Sequence, residues 1–197
     1  MLDLTTAFTT FPVLETERLV LRALTLDDAD AMFASRSDPQ VIRYFGTLPM
    51  TAHEQAAEQI ERVLTDYREQ NGIRWAITRR GDDYMIGSCG FWRLVKPHFR
   101  AELGYDLLPQ WWGQGIMTEA IMAVLRFAFT TMGLHSIEAQ IHPDNIASRR
   151  VLEKLGFVQE GYFRENYYDV VEERFTDTAV FSLLKSEFEG RSNTKSG

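Results

Sequence analysis

The hexapeptide Gln110-Trp111-Trp112-Gly113-Gln114-Gly115 constrains this chain more than any other stretch. Before it, residues 101–108 read as a strand, with Leu103, Tyr105 and Leu107 alternating against Glu102, Gly104 and Asp106. After it, a helical pattern runs over residues 116–132 and is closed by Gly133. Glycine permits backbone conformations and close approach that a Cβ forbids. The first N–H groups of the following helix lack internal partners and carry the positive end of its dipole. A strand–turn–helix junction of this kind can therefore hold an anion, even a pyrophosphate, without a cluster of Lys or Arg. The chain has no Gly-x-x-x-x-Gly-Lys-Ser/Thr loop, and Thr118 stands where a dinucleotide fingerprint needs its third glycine. On their own, two glycines at such a junction also suit an ordinary turn.

The remaining pattern predicts one mixed sheet with helices packed on it. Residues 18–22 alternate as a strand, and Thr25 before Asp27-Asp28 marks a helix start that ends at Asp38-Pro39. A second helix begins after Thr51, with Glu54 three residues on as a capping box, and runs to Asn71-Gly72. Residues 73–80 and 83–92 form a hairpin through Gly81-Asp82. Residues 137–142 are another strand, residues 145–155 a helix, and residues 158–168 and 174–184 a closing strand pair. The expected organisation is a flexible tail over residues 1–13, one domain over 14–188 and a second tail over 189–197.

Composition narrows the partners. Net charge is −7 over 197 residues, which argues against nucleic acid and fits a cationic partner better. No apolar stretch approaches the roughly 20 residues of a membrane span, and the N-terminus lacks a signal-peptide pattern. The lone Cys89 excludes an internal disulfide and reads as a buried strand thiol, so the expected location is a reducing cytoplasm. His98, His135 and His142 have no metal-ligand spacing, and no metal is expected.

Three separated segments carry a specific resemblance. Residues 101–108, continued by Gln110 to Ala120, resemble the acetyl-CoA-binding core of the GNAT N-acetyltransferase superfamily. Asn145-Ile146-Ala147-Ser148, with Glu153-Lys154-Leu155-Gly156-Phe157, resembles the second cofactor segment of that superfamily. Thr16-Glu17-Arg18-Leu19-Val20-Leu21-Arg22 resembles the opening strand of its RimJ/RimL-like branch of ribosomal-protein N-acetyltransferases. The likeness extends from about residue 14 to 185. It implies an α/β (α+β) fold with a mostly antiparallel sheet, two splayed parallel strands (101–108 and 137–142) and helices on both faces.

The resemblance also implies roles for individual residues. Backbone groups of Leu107 and Leu108 would bond the pantetheine arm of acetyl-CoA. The N–H groups of Gly113, Gln114, Gly115, Ile116, Met117 and Thr118 would hold its pyrophosphate. Asn145 would reach the pantetheine, while equally serving as a helix cap. Many members place a Tyr seven residues after that Asn; here the position is Leu152. In the RimJ/RimL-like branch the thiolate acid is a Ser three residues after it, here Ser148, which is otherwise a first-turn hydroxyl. Glu102 matches a carboxylate of that branch and is the candidate base for a protonated amine, its alternative being a solvated strand carboxylate. An N–H near Leu107 is the candidate oxyanion donor. Glu160, Glu165, Tyr168 and His142 could reach the acceptor, and Phe91, Trp92, Trp111 and Trp112 could line its cleft. The loops at 38–51 and 95–100 are expected to encode the acceptor.

The leading expectation is thus transfer of acetyl from acetyl-CoA to a protein N-terminal amine. A small amine (polyamine, amino acid or aminoglycoside) is the alternative acceptor, and a non-catalytic acetyl-CoA-binding module the alternative class. A homodimer through the last strands stays open.

Overall fold

The computed structural model describes residues 4–193. Its centre is one eight-stranded sheet in the order β1-β2-β3-β4-β5-β6-β8-β7. The strands are β1 (Leu14–Glu15), β2 (Leu19–Ala23), β3 (Ile73–Arg79), β4 (Asp82–Val95), β5 (Arg100–Leu107), β6 (Ser136–Ile141), β7 (Val158–Asp169) and β8 (Arg174–Leu184). The helices are α1 (Thr5–Thr9), α2 (Ala29–Ser37), α3 (Pro39–Ile42), α4 (His53–Arg68), α5 (Ile116–Phe127), α6 (Ile146–Leu155) and α7 (Lys185–Asn193). A π turn, Ala128–Met132, extends α5 to the left-handed Gly133, so the helix stop read from the sequence stands.

Two apolar clusters cover the two faces of the sheet. Ile116, Ala120, Ile121 and Val124 of α5, with Leu152 and Leu155 of α6, pack on Leu103, Leu107 and Ile137. On the opposite face Ala31 and Met32 of α2 meet Ala56 and Ile60 of α4 over Ala76 and Met85. Strand alternation explains the division. The odd residues of β5 face α5 and α6, and its even residues (Glu102, Gly104, Asp106) face α2.

All pairings are antiparallel except β5 with β6, which run parallel only over Arg100↔Ser136, Ala101↔Ile137 and Glu102↔Glu138. Beyond Glu102 the two strands part. On the other side of β5, β4 has a bulge at the same level: Phe91 faces Leu103 and Arg93 faces Glu102, leaving Trp92 extra. A bulge bends its strand and raises the local twist, which carries β5 away from β6 where pairing ends.

Three expectations change. The segment expected as a flexible N-terminal tail is packed from Leu4 to Pro12: Ala7 is fully buried, Phe11 lies edge-on to Trp75, and Trp75 Nε1 donates to the Pro12 carbonyl at 2.7 Å. Apolar Leu4, Phe8 and Phe11 outweigh the Thr-rich composition. At the other end α7 continues through Gly190 to Asn193, while residues 1–3 and 194–197 of the expected tails lie outside the described residues. The capping box of α4 shifts by one residue, because Gln55 Oε1, not Glu54, accepts from the N–H groups of Thr51 (2.7 Å) and Ala52 (3.1 Å).

Candidate active site

The glycine turn is held from both sides. Gly113 and Gly115 take left-handed conformations (φ +73° and +75°) that residues with a Cβ rarely adopt. Nothing lies within 4 Å of where a Gly113 Cβ would be, so this bend faces open space. The side-chain Nε2 of Gln114 closes the turn by donating to the Gln110 carbonyl at 2.9 Å. Arg18 Nη1 donates to the Gln114 carbonyl at 3.1 Å, and its Nε and Nη2 grip Glu119 at 2.6 Å each. Thr16 Oγ1 donates to the same carboxylate at 2.6 Å. Glu119 thus ties α5 to the start of β2. Gly115 caps α5 without a side chain, so it supplies no side-chain partner to the first N–H groups of the helix. The side chains of Ile116 and Met117 are buried, and only their backbone can meet a ligand.

Along β5 the backbone groups of alternate residues point to opposite neighbours. Leu108 N–H donates to the Ile86 carbonyl at 3.0 Å, and its own carbonyl accepts from Trp111 N at 3.0 Å. Of the two residues expected to bond the pantetheine, Leu108 is therefore turned toward β4. Leu107 lies on the edge that β6 has left, where Trp112 Nε1 donates to its carbonyl at 2.7 Å.

A cavity of about 520 Å³ occupies the splay and the space under α2 and the β7–β8 hairpin. Glu102, Tyr105, Asn145 and Ser148 all line it. Glu102 is 8% exposed and sits where β5 and β6 separate. Burial, followed by the charge of Glu138, pushes its carboxyl up to about 7 against the opposing pull of Arg93 and Arg100. Arg93 Nη1 stands 3.9 Å from the carboxylate. A carboxyl that ionises near neutrality is matched to proton abstraction at neutral pH.

Opposite it, Ser148 Oγ and the Tyr105 hydroxyl are 2.6 Å apart, and burial pushes the phenol up to about 12. Asn145 caps α6, its Oδ1 accepting from Ser148 N at 3.0 Å, which fixes Ser148 in the first turn. Tyr105 reads in the sequence as one more alternating strand residue. Its partner lies 43 positions away, so no local signal marks it. Leu152, at the position where many relatives carry Tyr, is fully buried in the core.

The acceptor wall differs from the sequence expectation. Trp92, freed by the bulge, lines the cavity, but Phe91 is fully buried, Trp111 lies under Arg79 and Trp112 turns to Leu107. The loop at 38–51 contributes Tyr44, Phe45 and Gly46, whereas the loop at 95–100 contributes nothing. On β7 the cavity takes Tyr167 rather than Tyr168, and neither Glu160 nor Glu165. His142 lines the wall and stacks on Tyr44 at 5.2 Å. Among the described residues no group of His, Cys, Asp or Glu is placed to hold a metal, and no helix is long and apolar enough to cross a membrane. Cys89 is fully buried, with burial pushing its thiol up to about 12.

Comparison with known proteins gives this arrangement its family. Residues 18–158 match the acetyltransferase (GNAT) domain model. The chain is 42% identical over 175 residues to the uncharacterized N-acetyltransferase YoaA of Bacillus subtilis, covering 89% of this chain and 98% of that one. It is 34% identical over 105 residues to the [ribosomal protein uS5]-alanine N-acetyltransferase of Escherichia coli, 53% of each chain. A GNAT-family acetyltransferase structure from Bacillus anthracis superposes with a TM-score of 0.79 at 25% identity, over 89% of this chain and all of that one. The chain belongs to the GNAT family of acetyl-CoA-dependent N-acetyltransferases, with ribosomal-protein N-acetyltransferases among its relatives.

Proposed function

We propose that the protein transfers the acetyl group of acetyl-CoA to the N-terminal amine of a protein or peptide, with Glu102 as base and the Tyr105–Ser148 pair serving the departing thiolate. The observation that carries this reading is the convergence of Glu102, Tyr105 and Ser148 on one cavity at the point where β5 and β6 part. The features of the turn fit the cosubstrate: open space at Gly113, a helix α5 with no side-chain cap from Gly115 and the β5 edge that β6 leaves beyond Glu102 suit an anionic head followed by an amide-bearing arm. Bound there, acetyl-CoA supplies the activated acyl group.

The chain's own residues then handle protons. An N-terminal amine is largely protonated below its ordinary pKa of about 8. Glu102, ionised above about 7, takes a proton from it, directly or through water. The open edge of β5 between Glu102 and Leu107 offers N–H groups that would bond the acyl oxygen as it gains charge. Ser148 Oγ, hydrogen-bonded to the Tyr105 hydroxyl at 2.6 Å, hands its proton to the leaving sulfur, and the second proton shed by the amine nitrogen as the intermediate collapses returns through the pair, so both hydroxyls end neutral. This built proton path favours turnover over acetyl-CoA sensing.

A peptide acceptor draws on the uS5-alanine relative and on a cavity roofed by a loop and a hairpin rather than closed by core. The enclosed volume also suits a small amine, which is the second reading. The test is release of free CoA thiol with amidated peptides of varied N-terminal residues beside polyamines, amino acids and an aminoglycoside. Mass spectrometry of the peptide locates the acetyl group. Peptide turnover well above every small amine supports the proposal. Binding of acetyl-CoA with no acceptor raising CoA release removes it.

A further inference from the structure

The acceptor cavity has a second chemical pole that the proton path does not use. Asp106, fully buried on the same face of β5 as Glu102, receives two guanidinium groups: Arg74 Nη2 at 2.7 Å and Arg36 Nη2 at 3.1 Å. Both arginines and Ser88 (2.7 Å) donate to Oδ1, and Ser35 donates to Oδ2 at 3.0 Å. Burial alone would raise this carboxyl, but the two arginines hold it below the ordinary range, so the cluster has two positive charges against one negative. Arg74 uses each of its three nitrogens, donating also to Ser88 Oγ at 2.9 Å and to the Gly104 carbonyl at 3.5 Å. Arg36 does not. Among the described residues the Nη2 bond to Asp106 is the one hydrogen bond of its guanidinium, the Phe45 ring lies 4.7 Å from its Cζ, and it lines the cavity.

The carboxylates nearby are committed elsewhere. Asp169 Oδ1 accepts from the N–H groups of Val171 and Glu172, and Asp177 accepts from Tyr162 and Glu165, all within the β7–β8 hairpin. Arg93, the remaining cation of the wall, leans toward Glu102.

Resting on the acceptor cavity assigned above, we propose that Arg36 is a specificity-determining residue that binds a carboxylate of the acceptor. The acceptor would span from an amine at Glu102 to an anion at Arg36. Glu102 and Asp106 are four residues apart on one strand, so that span is on the order of 10 Å. It matches an acidic side chain at the second or third residue of a peptide, or a free carboxylate at the far end of a small amine. A planar guanidinium with unengaged donors is suited to a carboxylate in a bidentate grip.

The experiment measures kcat/KM for two acceptor pairs that differ only in charge. One pair is C-terminally amidated hexapeptides beginning Ala-Glu-Glu or Ala-Gln-Gln. The other is 6-aminohexanoate and 6-aminohexanamide. Each is assayed with wild type, R36M and R36K. The wild type should favour the carboxylate form of at least one pair about tenfold or more. That ratio should fall toward one in R36M and lie between the two in R36K. Equal rates for the carboxylate and amide members of both pairs in wild type overturn the proposal, as does an unchanged ratio in R36M. Thermal melting with and without acetyl-CoA reports whether R36M folds. If it does not, R36K decides: a ratio at least threefold lower supports the site, and an unchanged one overturns it. A preference confined to 6-aminohexanoate, with no peptide acetylated, supports the Arg36 site and removes the peptide acceptor. Peptides acetylated without charge preference, in the absence of any 6-aminohexanoate preference, do the reverse.

Discussion

The two ends of this active site are built from different materials. The glycine turn is a backbone device: six consecutive residues, two left-handed glycines and the start of one helix. The acceptor cavity is a side-chain device, assembled from α2, the loop after α3, β3, β4, β5, β6, α6 and the β7–β8 hairpin. In the proposed roles, the first acts by where N–H groups point, and the second by charges and hydroxyls brought together across the chain. The contrast makes separable predictions. Damage to the turn should appear in the KM for acetyl-CoA, and damage to the cavity in kcat or in acceptor choice.

The largest effect belongs to Glu102. Replacing it with Gln removes the proposed base while keeping shape, and kcat should fall about 10²- to 10³-fold. For the wild type, kcat/KM should rise with pH through about 7 as Glu102 ionises. In E102Q that limb should vanish, leaving the later rise from acceptor deprotonation. Stability should move the other way. The folded carboxyl ionises higher than an unfolded one, so the folded state binds more protons between about 4.5 and 7. Stability falls across that window as pH rises. At pH 8, E102Q should therefore be more stable, by on the order of 1 kcal/mol given partial exposure to the cavity, read as a higher Tm. A kcat within threefold of wild type would dismiss Glu102 as base.

The turn comes next. Gly113→Val should raise the KM for acetyl-CoA roughly tenfold or more, since a β-branched residue disfavours φ > 0 and its bulk enters the space at the bend. The kcat at saturating acetyl-CoA should stay within a few-fold, because the cavity is untouched. A large kcat loss with unchanged KM would mean that turn and cavity are not separate devices.

The same contrast explains what the sequence could show. The turn was legible because its information is local: strand alternation, two glycines and a helical pattern lie within about 30 residues. The parallel pair β5–β6 was legible through the second motif at Asn145. The cavity wall was not. Arg36 and Arg74 look like solvated charges until Asp106 draws them together from 70 and 32 positions away. The bulge at Trp92 decides which aromatic reaches the cavity, and period-two reasoning cannot place an extra residue. The one-residue difference between Tyr167 and Tyr168 has the same root, because β7 pairs with β8 through two register shifts. At the N-terminus, composition suggested a tail while Phe8 and Phe11 had a core groove to fill.

The smallest expected effect tests the least legible contact, the hydroxyl pair. Thiolate is a fair leaving group, with a thiol pKa near 8.5, so protonating it should contribute less than amine deprotonation. Tyr105→Phe and Ser148→Ala should each lower kcat about three- to tenfold with little change in KM. If the two hydroxyls form one path, the double variant should lose hardly more than the worse single, since removing either end stops the same proton. Additive losses would mean independent roles, with Tyr105 acting through packing or Ser148 through the helix cap at Asn145. Equal losses with a slower-leaving acyl donor and with acetyl-CoA would likewise separate positioning from proton donation. A true donor should matter more as the leaving group becomes more basic.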